Sequence, residues 1–458
     1  MRRIRAARAE GDVSTLRAGT CALALEPPLG VPMMGYGARV GVAEGVLDPL
    51  HARALYLAAD ADVLLVECDL CLLAPPQADA VRARLAARTG VPVERILVGC
   101  IHTHAGPDTG LGALLAGREP DPHVAALLDA IVEAGARARA AAAPARLGVG
   151  RAQARIGRNR RREDGPVDPE ALVVRVDREG GAPLAVLYVY GCHPTALGHE
   201  NLAYSADWVA AAGEAIAARL PGANPIFALG AHADVDPRTR GLLDLAVAGK
   251  SRGVDPATCR ALGREVGEAV AAAAAGLATA RDVAVRAAAA RVAIPAWRAD
   301  EASRRAALAA LDLPPDAEPR TSEWFALERA RTEGHPPAER RERIARVPRY
   351  VRDRTAARFA FAEVPEVEVQ ALRLGDALLL ALPLEPTVDV GLEWKRRAPS
   401  PHAAVVAIAN GWMRYLPHGR NFEEPGAHLS YEVLQSTLVP EAAERLLACG
   451  ERLARELA

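Results

Sequence analysis

The chain has 458 residues, half of them hydrophobic, and its 56 basic and 57 acidic residues leave a formal net charge of −1. Such a chain can bury one large core or two ordinary ones, and its balanced charge excludes a global pull toward nucleic acid or an acidic surface. The seven cysteines, Cys21, Cys68, Cys71, Cys100, Cys192, Cys259 and Cys449, are odd in number and form no CxxC pairs recurring at zinc-finger spacing.

The first residues, MRRIRAARAEGDVSTLRAG, are basic but contain no apolar stretch of the kind a secretion signal needs. No run of about 18 apolar residues is present to span a bilayer, so a cytoplasmic protein without a transmembrane segment is expected. Residues 1–16 read as a polar leader and 17–458 as the folded domain. Val63 to Cys68 is a short apolar run of buried-strand type, and the lone pair Cys68 and Cys71 at its end reads as packing. Helical spacing follows over Pro76 to Ala87, then strand character over Ile96 to Ile101, then a long alanine-rich helix over His123 to Ala142. Leu184 to Tyr190 and Pro225 to Leu229 read as strands on either side of a helix from Asp207 to Arg219. Further helices are predicted over 256–276, 386–397 and 440–457, with strand-like runs at Val283 to Ile294, Val364 to Leu374 and Ala377 to Leu382. The alternation predicts an α/β fold, a mixed and largely buried sheet flanked by helices. Residues 297–360, rich in Arg, Glu and Ala, read as a helical surface insertion with a solvated face of mixed charge.

Four of the predicted strands end in the same way. Ile96 to Ile101 runs into His102-Thr103-His104 and a turn at Gly106-Pro107; the strand ending at Tyr190 runs into His193-Pro194. The strand ending at Leu229 leads to His232, Asp234 and Asp236, and the one ending at Leu382 leads to Glu385. Ligands of open α/β sheets bind outside the carboxyl ends of the strands, where loops gather residues distant in sequence. Imidazole nitrogens and a carboxylate oxygen suit a catalytic zinc. Taken singly, each residue also has a plainer role: a capped strand end, a turn histidine at His193, a helix cap at Glu385, an Asx-rich turn around His232.

These segments, in this order, resemble the N-terminal catalytic domain of the neutral, non-lysosomal ceramidases. The resemblance runs from Met34-Gly35-Tyr36-Gly37 and Asp48 to Ala54 through His102-Thr103-His104-Ala105-Gly106-Pro107, Asn159-Arg160 and His193-Pro194. It continues through Ala233 to Pro237, Pro383-Leu384-Glu385-Pro386-Thr387, Tyr415 and Tyr431-Glu432. It implies one zinc per chain, held by His102, His193, Glu385 and Tyr415. His104 would stand beside the metal, Arg160 would bind an oxyanion or carboxylate, and Tyr431 would help polarise an amide carbonyl. Three positions depart from the family pattern. Asp236 stands where the family has serine, which removes a serine nucleophile from that place; Ala233 and Leu384 stand where it has glycine. The family's C-terminal immunoglobulin-like domain and secretion signal are not expected here.

The expected activity is zinc-dependent hydrolysis of the amide bond of a small N-acylated amine, amino acid or ceramide-like substrate by metal-activated water. Asp234 or Asp236 would orient the water or a ligand histidine. Two other readings stay open: a biosynthetic peptidase, lactonase or amide-forming enzyme on the same zinc site, and a metal-free binding protein on the same fold. The partner expected is a small-molecule amide, with no nucleic acid; homo-oligomerisation is left open.

Overall fold

Along Leu50–Ala58 the side chains alternate between two interiors, with Leu50, Ala52, Ala54 and Tyr56 facing one and Leu55 and Leu57 the other. A strand buried on both faces belongs inside a layered structure. The computed structural model describes residues 15–241, 252–297, 365–424 and 430–458, with a few isolated positions between 298 and 364. The insertion expected over 297–360 and most of the leader expected over 1–16 lie outside the described residues.

In chain order the main elements are β1 (Arg17–Leu25), β2 (Leu50–Ala58), β3 (Asp62–Cys68), α1 (Pro75–Thr89), β4 (Ile96–Cys100), α2 (Pro122–Ala140), β5 (Ala143–Gln153), β6 (Glu170–Arg178), β7 (Pro183–Tyr190), α3 (Trp208–Arg219), β8 (Asn224–Leu229) and α4 (Pro256–Ala275). They continue with β9 (Val285–Ala293), β10 (Glu366–Leu374), β11 (Ala377–Ala381), α5 (Val388–Arg397), β12 (His402–Val406), α6 (Tyr431–Gln435) and α7 (Ala442–Glu456). The eight-stranded sheet has the order β8-β7-β6-β5-β1-β2-β3-β4. Only its outermost pairs, β8 with β7 and β3 with β4, are parallel. A second sheet, β9-β10-β11-β12, ends in the parallel pair β11 and β12.

Helices cover one face of the large sheet: Val81 and Leu85 of α1, Leu127 and Ile131 of α2, Ile216 of α3 and Val266 of α4 share a core with it. Its other face packs on the second sheet, where Leu65, Leu172, Leu187 and Ile226 meet Leu372, Leu374 and Leu379. The far face of the second sheet is closed by Trp394 of α5 and Leu446 and Leu447 of α7. The order of layers is therefore helix, sheet, sheet, helix. The expectation of helices flanking a buried sheet holds, with a second sheet interposed on one side. Among the described residues no helix is long and apolar enough to cross a membrane.

One irregularity positions everything below. β1 pairs with β2 over nine residues but with β5 only at Arg17 and Ala18. The sheet curls, and its two edge strands meet: β8 lies against β4. The segment after β12 laces them together. Ala407 N–H donates to the Leu229 carbonyl at 2.7 Å, Ala409 bridges to Gly99, and Asn410 N–H donates to the Val98 carbonyl at 2.7 Å. Asn410 holds a left-handed backbone (φ 62°) and its amide oxygen accepts from Val98 N–H at 3.0 Å.

A buried arginine ties this junction to α1. Arg82, 1 % exposed, donates to the carbonyls of Ile96 and Val93 at 3.1 and 3.0 Å and pairs with Glu368 of β10 at 2.7 Å. Its removal leaves a carboxylate and two carbonyls short of donors. Arg82→Ala is expected to lower unfolding stability by about 3 kcal/mol, read as a lower urea midpoint with an unchanged slope; a loss under about 1 kcal/mol would show that the junction holds without it.

Candidate active site

Parallel neighbours in register carry equal offsets side by side. Tyr190, the last residue of β7, is paired with Leu229, the last of β8. Three residues beyond each stand His193 and His232, with ring centroids 4.4 Å apart. His102 arrives two residues beyond β4, at the opposite edge of the curled sheet, and Glu385 four residues beyond β11 of the second sheet. One ligand atom from each of His102, His193, His232 and Glu385 lies within 4.8 Å of the others, and all four residues are buried.

The Glu385 Oε2 atom is the centre of this group. It stands 3.4 Å from His102 Nε2, 3.7 Å from His193 Nε2 and 3.6 Å from His232 Nε2. Each imidazole is aimed by a hydrogen bond from its other nitrogen. Nδ1 donates to a backbone carbonyl, that of Cys71 for His102 at 2.8 Å, Val235 for His193 at 3.3 Å and Gly230 for His232 at 2.9 Å. Glu385 Oε1 accepts from the Trp412 indole at 2.7 Å, which leaves Oε2 for the centre. Among the described residues, His193 Nε2, His232 Nε2 and Glu385 Oε2 make no hydrogen bond. Ligand atoms around a zinc bonded at about 2.0–2.1 Å stand about 3–3.5 Å apart, and a shell that expands to five keeps a place for water, so the spacing and the donor types fit such a cation. Metal-ligating histidines are held by their second nitrogen in this way.

The electrostatics agree. Although burial opposes it, the charge on His102 above all, with the two other imidazoles close by, holds the Glu385 carboxyl well below the usual carboxylate range. His102 is pushed well above the ordinary value against its burial, first by Cys71 and then by Glu385. Burial lowers His193, helped by Arg160, and lowers His232 to about 3, helped by His193. Neutral imidazoles are the ligating form, and binding a cation beside His102 would release its proton. His102 also holds a left-handed backbone (φ 65°), a strain of roughly 1–3 kcal/mol of the kind found at functional sites.

A cavity of about 410 Å³ opens on this group. His102, Glu385, His104, Tyr415, Tyr431, Arg160 and Asp236 all line it, while His193 and His232 are fully buried behind them. His104 Nε2 is 3.2 Å from His102 Nε2, and its ring packs edge-on against Tyr36 at 4.6 Å. Gly35 makes that approach feasible: it has φ 108°, and a Cβ there would fall 2.4 Å from His104 Cγ. Tyr415 is the register partner of Glu385, and Tyr415 and Tyr431 meet edge to face at 5.4 Å. Burial raises both phenols, seconded by Glu385 at Tyr415. Tyr415, expected among the ligands, thus brings a phenol oxygen to the wall of the same cavity as Glu385 and His102.

The two aspartates separate. Asp234 is absorbed by the scaffold, accepting from Val388 N–H at the start of α5 at 2.8 Å and from the Asn159 amide at 3.1 Å; burial raises its carboxyl to about 6. Asp236 faces the cavity, 3.3 Å from Arg160 Nη1, 3.4 Å from the Thr195 hydroxyl and 3.5 Å from His193 Nδ1. Arg160 also donates from Nε to Glu432 at 2.7 Å and stands 5.5 Å over the Tyr431 ring, while its Nη2 has no partner among the described residues. Leu384, bulky where the family has glycine, is buried in the core under α5 and α7 and does not fill the cavity. His232 is the donor that sequence reading left outside the ligand set, although the matched runs Gly191-Cys192-His193 and Gly230-Ala231-His232 after two strands carry its signal.

A family model described as neutral/alkaline non-lysosomal ceramidase, N-terminal, matches residues 26–259, which include the three histidines. A neutral ceramidase of Mycobacterium tuberculosis (strain ATCC 25618 / H37Rv) is 30% identical over 201 residues, 38% of this chain and 31% of that protein. The chain thus aligns with about a third of the length of that curated relative. In overall fold, it is similar to the neutral ceramidase of Pseudomonas aeruginosa, with a TM-score of 0.71 and 20% identity over 97% of this chain and 75% of the other. A structure of a ceramidase complexed with C2 gives a TM-score of 0.70 and 18% identity over the same shares.

Zinc at a thousandfold excess over its dissociation constant is expected to add about 4 kcal/mol to stability. A thermal melt with and without zinc reads this gain. It should vanish in Glu385→Ala and shrink strongly in His232→Ala; an undiminished gain in His232→Ala would remove that imidazole from the donor set.

Proposed function

Since the chain belongs to the neutral/alkaline non-lysosomal ceramidase family, we propose that it is a zinc-dependent amide hydrolase. Its substrate is a small N-acylated amine, amino acid or ceramide-like compound. The observation that carries this reading is the convergence of three imidazole Nε2 atoms on one buried carboxylate oxygen at the floor of a cavity. Zinc bound there lowers the pKa of a water toward about 7 and polarises a carbonyl oxygen.

The protein's own groups then divide the work. The acyl chain lies along Met34, Leu72 and Leu111, the apolar part of the cavity wall. Arg160 Nη2 and the Tyr431 hydroxyl are the donors available to the amide oxygen as negative charge develops on it. His104, beside His102 on the cavity side, takes a proton from the attacking water. The water oxygen joins the carbonyl carbon, the C–N bond breaks, and the proton held by His104 passes to the departing amine. Asp236 holds Arg160 and the His193 side of the site in place. It also occupies the family's serine position, so the chemistry rests on water and not on a serine nucleophile.

The test is amine release from N-octanoylglycine, N-ethyloctanamide and a short-chain ceramide by protein stripped with a chelator and reloaded with zinc. Turnover of at least one amide should fall over a hundredfold on stripping and return with zinc. His104→Ala should lower kcat by about 10²–10⁴ with zinc content unchanged. Cleavage that survives both stripping and Glu385→Ala would overturn the reading.

A further inference from the structure

The cavity gathers three guanidiniums and three carboxylates beside the cation site. Arg160, Arg240 and Arg414 line it beside the cation site, and the carboxylates at hand are Asp236, Glu385 and Glu432, the last bonded to Arg160. Arg240 is the arginine with no assigned task. It is 5 % exposed, and among the described residues its Nε and Nη1 have no hydrogen-bond partner and its guanidinium no carboxylate. It stands over the face of Tyr36, 5.8 Å from the ring centroid, and its charge also reaches Glu200 without closing an ion pair. Arg39 stands over the same ring at 5.1 Å, but its guanidinium is committed to the carbonyls of His104, Met34 and Asn201 at 2.7, 3.2 and 3.1 Å. Holding Tyr36 therefore does not require Arg240.

A guanidinium stays protonated at any physiological pH. Buried with Nε and Nη1 short of acceptors among the described residues, it carries a cost that a bound anion would recover. The Tyr36 ring under Arg240 packs on His104, which touches His102, so this charge lies along the same wall as the reacting groups. Resting on the hydrolase reading above, we infer that the amide substrate carries a carboxylate close to its nitrogen, as in an N-acyl amino acid, and that Arg240 binds that carboxylate. A cavity of about 410 Å³ suits this compact form, in which scissile carbonyl and carboxylate belong to one small molecule. A neutral amide such as ceramide would leave Arg240 unpaired, and a site built for a polar group discriminates strongly against ligands lacking it.

Two probes that differ only in the carboxylate separate the outcomes: N-octanoylglycine and N-ethyloctanamide, each offered to the zinc-loaded full chain. The wild type should show kcat/KM at least a hundredfold higher for N-octanoylglycine. Arg240→Ala should bring that preference below tenfold by raising KM, and Arg240→Lys should keep part of it. Zinc content and circular dichroism check that both variants are folded, and the lysine variant carries the test if the alanine variant is not. Calorimetry of N-octanoylglycine binding gives a readout independent of turnover, with a dissociation constant expected to rise at least thirtyfold in Arg240→Ala. Carboxylate-dependent binding that needs Arg240, without cleavage of either amide, would support the inference and sink the hydrolase reading. Equal cleavage of both amides, or a preference that persists in Arg240→Ala, would overturn the inference and leave the hydrolase reading standing.

Discussion

A carboxylate oxygen with three imidazole nitrogens around it, buried at the floor of a cavity, is the arrangement on which the rest of this molecule turns. Glu385 Oε2 lies within 3.7 Å of the Nε2 atoms of His102, His193 and His232. Burying an anion is costly unless it is paired, and two of its three neighbours are held neutral by burial and by nearby cations. A divalent cation would satisfy all four donors at once. Every other nitrogen of the three rings, and the second oxygen of Glu385, is fastened to backbone or to Trp412. The protein has thus fixed the direction of each lone pair before any ion is present, which is what tight binding with small reorganisation requires.

Holding four such residues together demands an unusual sheet. His102 follows one edge strand and His232 the other, so a flat eight-stranded sheet would keep them several strands apart. The curl, the short pairing between β1 and β5 and the laced segment 407–410 bring those edges together. The second sheet then delivers Glu385 from across the interface. Its layer does two jobs: it fills the core against the large sheet, and it supplies the only carboxylate of the donor group. That coupling explains why a polar cluster of Arg82, Glu368, Asn410 and Gln370 is tolerated inside the junction: it registers one sheet on the other.

Around the cation site the cavity divides into an apolar wall of Met34, Leu72 and Leu111 and a wall rich in guanidinium and phenol groups. Arg160 is tied to Glu432 and Asp236 and Arg39 to backbone carbonyls, while Arg240 lies over Tyr36 and closes no ion pair among the described residues. Family membership speaks for amide cleavage. The distribution of charge in this particular cavity speaks to which amides fit it, because a buried guanidinium discriminates between charged and neutral ligands far more sharply than an apolar wall discriminates between chain lengths.

The elements themselves were legible from the sequence. Apolar runs and helical spacing located the strands that end at Cys100, Tyr190 and Leu229 and the helices 75–89, 208–219 and 256–275 to within a few residues, because burial on two faces or one leaves a periodic trace. The strands β1, β2, β5 and β6 were less legible: polar and small residues interrupt them, and their pairing with distant strands makes up for weak local preference. His102, His193 and Glu385 could be singled out because each follows a strand of clear apolar character. What only the tertiary structure decided is who stands beside whom. His232 joined the donors because β7 and β8 are parallel and in register, Asp234 left the site because it caps α5, and the opposite sheet edges met because the sheet curls. Periodicity records which way a side chain faces, but register, curl and the meeting of two sheets depend on contacts between residues far apart in the chain, and no local pattern encodes those.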